Sequence, residues 1–132
     1  MQSFTVSSTK RQQIIDINSQ VEDIISSSGT ANGICVVYVP HATAAVLVNE
    51  NYDPNVMLDI IDAVSAIAPE GKWRHDRIDG NADAHIKSAL IGPSETLIIR
   101  EGKPVLGRWQ DIMIADFDGP KKRKVYVKII NR

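Results

Sequence analysis

Two apolar runs, ICVVYV at residues 34–39 and TAAVLV at residues 43–48, stand only three residues apart. Each is apolar at both alternating parities and too short for a buried helix. That pattern describes a strand covered on both faces. Two such strands in tandem require layers packed on either side of a sheet. Pro40, His41 and Ala42 between them suggest a hairpin. A chain of 132 residues, 43% hydrophobic and 23% charged, can supply those layers. At this length folding buries roughly two-thirds of the unfolded chain's surface, so no covalent staple is needed. The single cysteine, Cys35, lies inside the first run, has no intrachain partner, and is expected to pack as a small hydrophobe.

Strand signals also occupy both ends of the chain. Phe4 and Val6 alternate with polar residues, and a second strand is expected over Gln12 to Asp16. Ser19 and Glu22 have capping-box spacing, Val21, Ile24 and Ile25 extend one stripe, and Gly29 suits a helix end, which predicts a helix over 19–28. Asp53-Pro54 predicts the start of a second helix, carried by Met57, Ile60, Ile61, Val64, Ile67 and Ala68 and ended by Pro69 and Gly71. Residues 70–80, EGKWRHDRIDG, read as a loop. A third helix is expected over Asn81 to Ile91, with Ala82, Ile86, Ala89 and Leu90 as its buried stripe and Asn81, His85 and Ser88 on another face. Strands then resume: ETLIIR, PVLG, RWQDIMIADF and KVYVKII, the last alternating dry and wet. Strands outnumber helices, and the helices sit mid-chain. The expectation is a single α+β domain over residues 1–132, with three helices on largely antiparallel, sandwich-like sheets.

Fifteen basic residues face sixteen acidic ones, a net charge of -1, which gives no general pull toward nucleic acid or anionic membrane. The N-terminus lacks an apolar signal core, and no apolar run reaches membrane-spanning length. A cytoplasmic protein with neither nucleic acid nor membrane as partner is expected.

The chemistry-bearing residues are scattered. His41 follows a proline at a strand end, His75 lies in the polar loop, and His85 lies off the apolar stripe of the third helix. Three neutral imidazoles suit zinc and leave a position for water or substrate. No local metal motif such as H-E-x-x-H is present, so three unrelated histidines remain the competing reading. Glu50 can act as a general base, orient a histidine or bind an ammonium group, whereas Asp53 already has a capping role. Asp76, Asp79 and Asp83 lie near two of the histidines, as partners, as magnesium ligands or simply as turn residues. In GRWQ, Trp109 can stack on a flat ligand and Gln110 can bond its edge, against the alternative of a core tryptophan. Lys87 and Arg108 are single cations that can meet a phosphate, and KKRK at 121–124 follows a tight turn.

PHATA with NEN, then NADAHIKSALIGPS, then GRWQDI and DFDGPKKRKVYV occur in that order and closely resemble the YjbQ family, often described as secondary thiamine-phosphate synthases. The resemblance covers nearly the whole chain. It implies an α+β fold, a homotrimer, and a metal held at His41, His75 and His85; the imidazole ligands themselves favour zinc, with magnesium an option beside a diphosphate. It also implies a weak activity joining an aminopyrimidine-methyl diphosphate to a thiazole phosphate. On that reading His41, Glu50 and His85 carry catalysis. Thr43, Asn49, Asn81, Lys87 and Ser88 line the small phosphorylated substrate, together with Arg108, Trp109 and Gln110. The family's usual P-H-T-T-A is here P-H-A-T-A, and the hydroxyl missing at Ala42 is worth about 0.5–1.5 kcal/mol if it bonded a ligand. Two alternatives stay open: a metal-assisted hydrolase or lyase of a small phosphorylated metabolite, and a non-catalytic metal- or metabolite-binding protein.

Overall fold

The alternation at the end of the chain organises the larger sheet. In a computed structural model describing residues 1–131, strand β8 (Lys122–Asn131) buries Val125 and Val127 and turns Lys124 and Lys128 to solvent. It lies between β1 (Gln2–Ser7) and β3 (Gly33–Tyr38), and β5 (Ser94–Arg100) and the short β6 (Lys103–Pro104) complete five antiparallel strands in the order β1-β8-β3-β5-β6. A second sheet, ordered β2-β7-β4, contains β2 (Gln13–Asp16), β7 (Gln110–Asp116) and β4 (Ala44–Glu50). The architecture is the expected α+β class, with three helices and two antiparallel sheets.

The principal core fills the space between the sheets. Cys35 and Val37 of β3, Leu97 and Ile99 of β5, and Val125 and Val127 of β8 face Ala44, Val46, Ile112 and Ile114 across it. Helix α1 (Asn18–Ser28) closes this layer with Val21 and Ile25, both fully buried. Each such branched side chain contributes roughly 1.5–3 kcal/mol by leaving water. The far side of the small sheet carries a second core. There Ala45, Leu47, Met113 and Ala115 meet Met57, Ile60 and Val64 of α2 (Pro54–Ile67), with Ala84 and Ile91 of α3 (Ala82–Ile91).

β4 is therefore covered on both faces, as its composition requires. β3 is not, although its sequence reads alike: Ile34 and Tyr38 point away from the core and are 36% and 43% exposed. Nor do the two strands form a hairpin. They belong to different sheets, and the chain between them crosses the sandwich, with Val39 N–H bonded to the Pro93 carbonyl.

The helix signals divide. Asp53 caps α2 through Asn55 N–H at 2.9 Å, and Gly29 ends α1 at φ 69°, a left-handed conformation that glycine adopts without strain. The expected Ser19–Glu22 capping box does not form. The Asp16 carboxylate instead accepts from Asn18 N–H at 2.8 Å, while the Asn18 amide donates to Glu22. In α3 the expected stripe is also displaced. Ala89 and Leu90 are exposed, and the buried face is Ala82, Asp83, Ala84, Lys87 and Ser88. A charged pair, Asp83 and Lys87, can occupy that face because its charges neutralise one another four residues apart. The loop at 70–80 contains one 3-10 turn, Arg74–Arg77.

Candidate functional site

The turn at Arg74–Arg77 carries His75 against α3. Asp76 holds it there: its carboxylate accepts from Trp73 N–H and Ala82 N–H, both at 3.0 Å, tying the turn to the start of the helix. Trp73 is anchored by its indole N–H, which donates to the Pro69 carbonyl at 2.6 Å. The result is an edge-to-face pair of imidazoles, with the His75 and His85 rings 4.8 Å apart at 87°. They line a cleft of about 560 Å³ with Lys72, Trp73, Arg74, Ala82 and Ile86. Lys72, Trp73 and Arg74 were not singled out from the sequence, although a tryptophan flanked by cations immediately before a histidine was a readable signal.

His41 is engaged elsewhere. Its Nε2 accepts from the backbone N–H of Lys124 at 2.8 Å. Beyond the Tyr38–Tyr126 pair the β3–β8 register would set Pro40 opposite Lys124, so the imidazole stands in for the ladder acceptor where β3 leaves the sheet. Burial, reinforced by the nearby Arg123 guanidinium, lowers the His41 pKa. A neutral ring accepting at Nε2 carries its proton on Nδ1. Among the described residues no group of three or more His, Cys, Asp or Glu side chains is placed to hold a metal ion. The three-histidine centre is therefore not assembled within one chain; His75 and His85 meet, and His41 does not join them.

Behind His41 lies a buried polar network. Asp116 takes two bonds from Arg123, Nη2 to Oδ1 at 2.7 Å and Nε to Oδ2 at 3.0 Å, and one from the Ser8 hydroxyl at 2.6 Å. Arg123 also donates to Thr43 Oγ1 at 2.8 Å. Burial alone would push the Asp116 carboxyl up, but the Arg123 and Ser8 bonds outweigh it and hold it below the usual carboxylate range. Thr43, expected at the substrate, is thus committed to this network. Lys87 is similarly committed. It is 2% exposed, and its ammonium donates to Asp83 Oδ2 and Gln12 Oε1, each at 2.8 Å. Arg11 grips the other side of Asp83 at 3.0 and 3.2 Å. Burial again opposes the Asp83 charge and the two cations overcome it, leaving its pKa lowered.

Asn49, Glu50, Arg108, Trp109 and Gln110 gather at the opposite end of β4. The register sets Ala44 against Asp116 and Glu50 against Gln110, so Glu50 and Thr43 are separated by the strand's length, about 23 Å at 3.3 Å per residue. Glu50, His41 and His85 accordingly do not converge within one chain. The physical reason is that β4 is a straight strand running away from the His41 turn, and its exit cannot return to it. At that far end Trp109 is 47% exposed, with Tyr52 5.0 Å from its ring and the Arg108 guanidinium 4.8 Å above it. The Gln110 side chain accepts from Gly107 N–H at 2.7 Å, and Asn49 accepts from Glu50 N–H at 2.7 Å.

Three buried polar atoms among the described residues lack a hydrogen-bond partner: His75 Nε2, Asn81 Oδ1 and Ser88 Oγ. His75 Nε2 lies 3.5 Å from Asp79 Oδ2, a contact too loose for a hydrogen bond. Native proteins leave few such atoms unpaired. Ser88 lies on α3, Asn81 immediately precedes it, and His75 lies on the turn packed against it. The Asn81 amide, meanwhile, donates to Asp118 at 2.8 Å.

Fold and site together define a two-sheet α+β protein with an imidazole pair in a cation-rimmed cleft. The chain belongs to the YjbQ/UPF0047 family: the family model described as "UPF0047 protein YjbQ-like" matches residues 2–132. It is 48% identical over 127 residues to the UPF0047 protein MJ1081 of Methanocaldococcus jannaschii, covering 96% of this chain and 91% of that one. It also resembles two crystal structures of the family. One, from Clostridium acetobutylicum, has a TM-score of 0.94 at 41% identity and covers 98% of this chain and 100% of that one. The other, SSO2532 from Sulfolobus solfataricus, has a TM-score of 0.95 at 37% identity, covering 99% and 96%. No helix among the described residues is long and apolar enough to cross a membrane.

Proposed function

We propose that the His75–His85 cleft binds a small phosphorylated metabolite and supports a weak, thiamine-phosphate-synthase-like condensation. The observation that carries this reading is the imidazole pair sharing one cleft with Lys72, Arg74 and the Trp73 ring. Lysine and arginine supply point-charge and forked donors to phosphate oxygens. The indole offers a flat wall for an aminopyrimidine. In the condensation the methylene–oxygen bond to diphosphate breaks, and pyrophosphate leaves with the electron pair. The thiazole nitrogen then forms the new carbon–nitrogen bond. Lys72 and Arg74 stabilise the charge growing on the leaving oxygens, and His85 delivers a proton to them.

Among the described residues no third His, Cys, Asp or Glu side chain completes a metal cage around this pair. The homotrimer that the resemblance implies is a source of further groups and is tested by sedimentation. Glu50 and His41 lie away from the cleft, which favours binding without turnover as the second reading.

Protein purified from a host lacking its own synthase should form thiamine phosphate from the two substrates, measured by mass spectrometry. His85→Ala should cut that rate about 100-fold or more, the usual scale for a positioned acid. A rate unchanged by His85→Ala and Arg74→Ala together would reject the assignment. Saturable pyrophosphate binding, lost in Arg74→Ala but with no product formed, would select the binding-only reading.

A further inference from the structure

The net charge of -1 conceals a one-sided distribution. In the five-stranded sheet, burial alternates strictly along β3, β5 and β8, so the register identifies every side chain on the outer face. On β8 this face carries Lys122, Lys124 and Lys128, all exposed. At the other edge Arg100 of β5 pairs with Lys103 of β6, both exposed. No aspartate or glutamate occupies an outward position on any of the five strands. Glu95 shares the inward parity of its partner Val37, and Glu101 lies in the turn after β5.

Between the cations sits an aromatic pair. Tyr38 and Tyr126 are directly opposite on neighbouring strands, with Tyr38 43% exposed, and the Lys124 ammonium lies 5.5 Å from the Tyr126 ring centre. Further along the same face Ile34, Ile98 and Ile130 form one cross-strand row, at 36%, 62% and 50% exposure. Neither α2 nor α3 covers this face, because both pack on the small sheet. The platform measures roughly 20 Å along β8 and about 19 Å across its strands.

We propose that this face binds single-stranded nucleic acid. The two tyrosine rings stack against unpaired bases, and Lys122, Lys124 and Lys128 follow the phosphate backbone. An antiparallel sheet exposing adjacent aromatics within a lysine field meets both requirements of single-strand recognition, a π surface and a positive track. The occupant follows from charge and shape together. A duplex hides its base faces and offers phosphates alone. An anionic membrane or an acidic peptide matches the lysines and leaves the tyrosine pair unused. This surface is separate from the His75–His85 cleft and does not depend on the function proposed for it.

The test is fluorescence anisotropy of the full chain with labelled single-stranded oligonucleotides of about ten nucleotides, DNA and RNA, at low salt. Saturable binding is expected, weakening with salt at a log–log slope of about -2 for three phosphates. Tyr126→Ala should weaken it about tenfold, Tyr126→Phe should keep it, and Lys124→Gln should reduce the slope by about 0.7. Duplex of equal length, phosphatidylserine vesicles and polyglutamate should bind more weakly and be indifferent to Tyr126→Ala. Absence of oligonucleotide binding would overturn the proposal. So would equal binding of vesicles or polyglutamate, or oligonucleotide binding insensitive to Tyr126→Ala. Sedimentation showing an oligomer that Tyr126→Ala dissociates would instead assign the face to a second copy of the chain.

Discussion

Replacing Asp116 by alanine isolates the largest electrostatic commitment in the fold. Asp116 is 0% exposed and Arg123 4%, and the carboxylate takes three side-chain hydrogen bonds. Removing it strands a buried guanidinium whose remaining side-chain partner is Thr43. Breaking a buried pair from one side costs about 3–5 kcal/mol, against a total stability of about 5–15 kcal/mol for a domain. At about 2.1 cal/mol/K of unfolding entropy per residue, a chain this long loses about 3.6 °C of Tm per kcal/mol, giving a fall of about 11–18 °C. Replacing both partners, Asp116→Leu with Arg123→Met, removes the charge to be compensated and should recover most of that loss. Urea and thermal unfolding followed by circular dichroism measure Asp116→Ala and the four corners of that cycle: the parent, Asp116→Leu, Arg123→Met and the double variant. The pH dependence supplies a second check. Because the Asp116 pKa is lowered on folding, its contribution is present above the unfolded value of about 3.9 and disappears as pH falls through the lower folded value. Asp116→Ala should therefore lose less stability between neutral and acid pH than the parent. A single variant within 1 kcal/mol of the parent, or a double variant as unstable as the summed singles, would refute the reasoning.

Three further outcomes are expected. The Cys35 thiol, fully buried with its pKa pushed up to about 11, should resist alkylation at pH 8 in native protein and react at once in denaturant, as counted by mass spectrometry. The His41 pKa is lowered on folding, so stability should fall as pH drops below about 6.5, the unfolded value, and His41→Gln, which keeps an acceptor for Lys124 N–H, should flatten that part of the urea-midpoint profile. Gly33→Ala would press a methyl group into the Ile130 backbone carbonyl of the neighbouring strand, and thermal unfolding should show a loss of about 1–3 kcal/mol, whereas Gly71→Ala meets no atom and tests only its positive φ of 87°.

Local sequence specified most of the elements and the class. Alternation in β8, the Asp53-Pro54 helix start and Gly29 at a helix end act through neighbours in the chain, and periodicity reports them directly. The pairing of His75 with His85 was half legible, since both lie within one polar stretch and the helix that follows it. Packing between distant segments settled the rest. ICVVYV and TAAVLV have the same pattern, yet only the second is covered on both faces, because coverage depends on which layers arrive from elsewhere in the chain. Lys87 and Thr43 looked available for a ligand until Asp83 and Arg123, brought in by packing, consumed their hydrogen bonds. His41 and Glu50 lie close in sequence, but an extended strand spends those nine residues on distance, and no local rule states where a strand points. The charge of the outer sheet face was equally hidden, because a net sum over the chain carries no information about which side of a pleat each lysine occupies.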